Sequence, residues 1–110
     1  MTEAERLAVV RGRLQTFAKA APAVFQGFAA LTKAATAPGT TFDAGARELI
    51  AVALAVATGC EDGITYNVAG AKKHGATEAG LIEALEVAVE MGGGPALMYA
   101  AKALEAFRAE

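Results

Sequence analysis

An all-helical domain follows from three features of this 110-residue chain. Apolar residues recur at helical spacing through most of its length. Cap and break signals divide that pattern at short intervals, and no stretch alternates apolar and polar residues as a half-buried strand would. About six helices are expected in one domain spanning 1–110, with an antiparallel helical hairpin over 44–74 at its centre.

Each element has a local reason. Thr2-Glu3-Ala4-Glu5 reads as a capping box, and the helix it opens runs to about Lys19 with Leu7, Val10, Leu14 and Phe17 on one face. Pro22 suits the first turn of a second helix, where Phe25, Phe28 and Leu31 continue the apolar stripe. Pro38-Gly39 ends that helix. Asp43 is an N-cap for a third helix over Ala44–Thr58, whose stretch from Leu49 to Ala57 is apolar all round and therefore predicts a central, buried position. Gly59 breaks it, and a fourth helix is expected from about Cys60 to Lys73, closed by His74-Gly75. Thr77 caps a fifth helix that turns Leu81, Leu85, Ala88 and Val89 inward and Glu83, Glu86 and Glu90 outward. A tight turn at Gly92-Gly93-Gly94-Pro95 then separates it from a last helix running to Ala109.

Composition narrows the function. Residues of the apolar set make up 55% of the chain with its 12 glycines left out. Ordinary globular chains reach about 45–50% even when glycine is counted. Some of this excess is expected to meet other copies of the chain, so a homo-oligomer is predicted. Ten Lys and Arg against 12 Asp and Glu form no basic stripe, which argues against nucleic acid. The longest strongly apolar run, Leu49 to Gly59, is too short to cross a bilayer, and the acidic N-terminus does not read as a signal peptide. A single cysteine, Cys60, excludes an intrachain disulfide and suits the cytoplasm.

Few residues carry chemistry. Cys60 follows a helix break, where the positive end of the next helix would make a thiol reactive; the alternative is a small buried hydrophobe. Glu48 precedes the apolar run, an expensive place for a carboxylate unless it is paired or at a solvent edge. Along one straight helix it would lie about 18 Å from Cys60. In a hairpin folded back at Gly59 it would instead face Tyr66, Asn67 or Gly70; pairing with Arg47 is the simpler alternative. His74, the only histidine, reads as an exposed residue at a helix C-terminus. One His and one Cys, well separated, predict no metal site, and the row Glu83, Glu86, Glu90 reads as a solvated face. Gly92-Gly93-Gly94 lacks the Lys and Ser or Thr of a phosphate loop, so no cofactor is expected.

Several separate blocks carry a resemblance. Arg47-Glu48-Leu49-Ile50-Ala51-Val52-Ala53, Thr58-Gly59-Cys60-Glu61, Gly75-Ala76-Thr77 and Met91-Gly92-Gly93-Gly94-Pro95-Ala96-Leu97 resemble, in order and spacing, the carboxymuconolactone decarboxylase-like superfamily and its alkylhydroperoxidase D branch. The likeness covers about residues 38 to 107. In that branch a Glu is followed twelve residues later by Cys-x-x-Cys, with a His four beyond the second Cys. Two thiols there cycle through a disulfide while reducing a hydroperoxide, and the His–Glu pair relays protons. Here Glu48 and Cys60 match, whereas Gly63 and Asn67 stand at the second Cys and the His. Gly63 cannot form a disulfide, and Asn67 cannot exchange a proton near neutral pH as imidazole does.

What the resemblance implies is therefore a hydroperoxide-reducing thiol oxidoreductase reduced to the chemistry of Cys60 alone, assembled as a trimer or hexamer and recycled by an external thiol. The alternative is a binding or structural oligomer that kept the scaffold and lost catalysis. A decarboxylase-type enzyme is a third reading, without a specific match to that branch's substrate residues.

Overall fold

The computed structural model describes all 110 residues, and its helices are α1 (Glu3–Ala20), α2 (Pro22–Thr36), α3 (Ala44–Thr58), α4 (Glu61–Lys73) and α5 (Glu78–Arg108). The caps are those the sequence encodes. Thr2 Oγ1 accepts from the Glu5 amide at 3.1 Å while the Thr2 amide donates to Glu5 Oε1 at 2.8 Å, which closes the capping box. Asp43 Oδ1 accepts from the Ala46 amide at 2.8 Å, and Thr77 Oγ1 from the Gly80 amide at 3.0 Å.

α3 ends at Gly59, whose φ of 71° is the left-handed conformation that favours glycine; the next amide, of Cys60, then reaches back to the Ala55 carbonyl at 2.9 Å. The same device at Gly75 closes α4, with the Ala76 amide donating to the Ala71 carbonyl.

α3 and α4 form the expected central hairpin. A β-carbon at Gly63 would touch Ala55, one at Gly70 would touch Glu48, and one at Gly45 would touch the His74 carbonyl, so the two helices run antiparallel with constant register. Against them lies α5, which brings Leu81, Leu85, Ala88, Ala96, Ala100, Ala103 and Ala106 to a core with Val52, Ala55, Val56, Ile64 and Val68. Alanine at so many of these positions lets the helix axes approach closely. No helix is long and apolar enough to cross a membrane.

The break expected at Gly92–Pro95 is present: α5 consists of two helical arms joined across a kink at Gly93 (φ 72°, ψ −152°), the one residue in it outside helical space. Pro95 sits in the first turn of the second arm, where its missing N–H is tolerated. One expectation needs correction: α3 is central but not buried all round, since Ile50 and Leu54 stay exposed on its outer side. The apolar stripes of α1 and α2 stay largely open. Of the α1 stripe only Val10 is buried, and α2 buries no residue at all. Phe17, Val24, Phe28 and Leu31 face outward.

Candidate functional site

The turn between α3 and α4 presents Cys60. It is the N-cap of α4, one residue outside the helix that was expected to include it, and its Sγ accepts the Gly63 amide at 3.3 Å. The side chain is exposed, which removes the reading of a buried hydrophobe. Sulfur thus occupies the place of a capping oxygen, at the positive end of the α4 dipole. A β-carbon at Gly63 would fall 2.9 Å from that sulfur and 3.3 Å from Cys60 Cβ, so position 63 adjoins the thiol directly.

Asn67 lies one turn further along α4. Its Nδ2 donates to the Gly63 carbonyl at 2.8 Å, and it makes no hydrogen bond to Glu48. Glu48 is buried, with 7% of its surface exposed, and packs on Gly70, where a β-carbon would be 2.9 Å from its carboxyl carbon. Of the partners expected by hairpin geometry, Gly70 is one it meets. Glu48 Oε2 has no hydrogen-bond partner. Burial pushes the Glu48 carboxyl above its ordinary range, and the positive charge of His74 offsets this in part.

Arg47 does not pair with Glu48. Its guanidinium donates to the Ala34 and Ala35 carbonyls at 3.4 and 3.2 Å, satisfying the C-terminal end of α2. His74 is the exposed C-cap of α4, with Nδ1 2.9 Å from the Gly70 carbonyl. Glu83, Glu86 and Glu90 are exposed on α5, and nowhere do three His, Cys, Asp or Glu side chains converge as metal ligands.

Two residues beside Cys60 have no counterpart in the sequence reading. The Tyr99 ring covers Gly59, and Lys102 forms an ion pair with Glu61. Sequence separations of about forty residues hide both contacts; the three-residue spacing of Tyr99 and Lys102 is the only local trace. Beyond Glu61 opens a groove of about 230 Å³ bordered by Arg6, Arg13, Asp62 and Lys102, which Cys60 does not line.

Comparison with known proteins decides the family. The model of the carboxymuconolactone decarboxylase family matches residues 22–106. This chain belongs to that family. The match begins at α2, further toward the N-terminus than the sequence blocks indicated. The chain is similar, at 44% identity and a TM-score of 0.89, to a carboxymuconolactone decarboxylase family protein from Legionella pneumophila whose apo crystal structure is known; 96% of this chain and 93% of that one are covered. It is 43% identical over 104 residues to an uncharacterized protein of Cupriavidus necator, covering 94% of this chain and 91% of that one. It is also 41% identical over 86 residues to uncharacterized protein 4 in the cox locus of Paracoccus denitrificans, covering 78% and 77%. The all-helical fold is thus shared with a solved member of the carboxymuconolactone decarboxylase family.

Proposed function

We propose that this family member reduces organic hydroperoxides with one thiol, Cys60, and that an external low-molecular-weight thiol restores it. The observation that carries this reading is the exposed Cys60 sulfur at the N-terminus of α4, held by the Gly63 amide. Attack of the thiolate on the peroxide forms an S–O bond and breaks the O–O bond. Sulfur is oxidised by two electrons to the sulfenic acid, and the alkoxide leaves with a proton from water, which reaches the exposed site freely. A first external thiol condenses with the sulfenic acid to a mixed disulfide and releases water. A second displaces Cys60 as thiolate and leaves as the external disulfide.

Asn67 and Glu48 limit what else the site does. The Asn67 amide is engaged with the Gly63 carbonyl and does not titrate near neutral pH, so it serves as neither general acid nor general base. Buried Glu48 therefore has no relay to the thiol through position 67, and slow chemistry is the expectation. A reducing cytoplasm would keep Cys60 poised. The exposed Phe17, Val24, Phe28 and Leu31 support a homo-oligomer, a trimer or hexamer, with α2 at a contact between copies.

The test is hydroperoxide consumption with excess glutathione, beside Cys60→Ser. Turnover lost in the variant supports the reading, and equal rates in both proteins overturn it. The interrupted relay favours a second reading, a member that keeps the oligomeric scaffold without catalysis. In that case Cys60 stays reduced under peroxide.

A further inference from the structure

Cys60 has one chain neighbour on each side, and a single turn of α5 holds both. Before it, Gly59 is in the left-handed conformation, and a β-carbon there would lie 3.2 Å from Tyr99 Cε2 and 3.5 Å from the Tyr99 hydroxyl. After it, the Glu61 carboxylate is ion-paired with Lys102. The Lys102 ammonium in turn lies 5.7 Å from the centroid of the Tyr99 ring. Residues three apart on a helix share a face, so Tyr99 and Lys102 act as one unit. Tyr99 is anchored, since it packs partly buried against the core of α3, α4 and α5.

Neither contact belongs to the cap itself, which the Gly63 and Cys60 amides form without α5. The two side chains instead meet the turn from outside, on either side of Cys60. The Lys102–Glu61 pair is exposed on both sides and adds little to folding, but it restrains the first turn of α4 just beyond the sulfur. The Tyr99 ring stands against the Gly59 turn on its α5 side, near enough that an added β-carbon would touch it.

We propose that Tyr99 and Lys102 are positioning residues for Cys60, clamping the residue before and the residue after it so that the thiol is held in one orientation. The functional part of this inference rests on Cys60 being the reacting group; the clamp itself does not.

The experiment therefore reads the clamp without peroxide chemistry first. Amide hydrogen exchange at Gly59, Cys60 and Gly63, each hydrogen-bonded in this turn, is measured by NMR in Tyr99→Ala, Tyr99→Phe, Lys102→Gln and Lys102→Arg, with Phe107→Leu as a control elsewhere on α5. Local opening is expected to rise about tenfold in Tyr99→Ala and about threefold in Lys102→Gln, with amides at the middle of α3 unchanged. Tyr99→Phe, Lys102→Arg and the control should stay within about twofold of the parent. Should Tyr99→Ala not fold, Tyr99→Leu and Lys102→Gln carry the test. Exchange at Gly59, Cys60 and Gly63 unchanged in the folded variants overturns the clamp. Sulfenic acid formation is then timed in the same set: a fall of about tenfold in Tyr99→Ala, restored in Tyr99→Phe, completes the inference. A parent Cys60 inert to peroxide removes the one-thiol reading and leaves the exchange result standing.

Discussion

Glu48 rests on Gly70, a β-carbon at position 70 falling 2.9 Å from its carboxyl carbon. The absence of a side chain on α4 is what lets the Glu48 carboxylate lie between the two helices of the central hairpin. Gly70→Ala should therefore lower stability by about 1–2 kcal/mol, overpacking outweighing the gain in helix propensity. In a Glu48→Ala background the clash disappears, and the same change should stabilise by up to about 1 kcal/mol. Urea unfolding of the four proteins of this cycle reads the reversal of sign. A loss of equal size in both backgrounds would show that Glu48 is not what crowds position 70.

Buried Glu48 also makes stability depend on pH. Its carboxyl titrates above its ordinary value because burial disfavours the charged form. A raised folded-state pKa means that the protonated group favours the fold below the unfolded value near 4.5, and that this advantage is lost as pH rises through the folded value. Glu48→Met, of similar volume and uncharged, should be more stable than the parent by about 1–3 kcal/mol at neutral pH. The gap should narrow as the medium is acidified. Denaturant midpoints across that range check it; a gap that widens on acidification has the wrong sign for an unpaired buried carboxylate.

Position 63 lies where a second thiol would pair with the first. Its β-carbon would be 3.3 Å from Cys60 Cβ, slightly shorter than the separation of about 3.5–4.5 Å found in disulfides. Gly63→Cys should form an intrachain disulfide with Cys60 under mild oxidant, seen by intact mass as the loss of two hydrogens. Persistence of two free thiols would show that the α4 N-terminus does not relax by the small shift required.

The outer face of α2 gives a prediction about assembly. Val24, Phe28 and Leu31 are 67%, 65% and 62% exposed, and no residue of this helix is buried in the single chain. Light scattering should find three or six copies. Phe28→Glu with Leu31→Glu should dissociate them while helical circular dichroism is retained. A monomeric parent would contradict the assembly.

Local signals carried most of the fold. Thr2, Asp43 and Thr77 cap where their side chains say they should, and Gly59 and Gly75 end helices in left-handed turns. The hairpin followed from the break at Gly59, and with it came the approach of Glu48 to Gly70. What failed was non-local or directional. The stripe of Leu14, Phe17, Phe28 and Leu31 has helical periodicity, but periodicity does not say whether the same chain or another copy covers it. The break at the three glycines and the proline was legible, though not that Gly93 alone would leave helical space. In the site, Cys60 was legible from its place after the helix break, and Gly63 and Asn67 as its neighbours only through the family resemblance. The partners of Arg47 and Asn67 were not, because a backbone carbonyl leaves no mark in the sequence.

The central claim is that Cys60 by itself reduces hydroperoxide, and single-turnover intact mass tests it most directly. Fully reduced protein is mixed with cumene hydroperoxide and trapped with a sulfenic-acid reagent. The account predicts one oxidised sulfur per chain, at Cys60, absent in Cys60→Ser and reversed by added glutathione. A chain that stays unmodified while Gly63→Cys with Asn67→His turns over peroxide would contradict it, and would mark the natural protein as a scaffold without this chemistry.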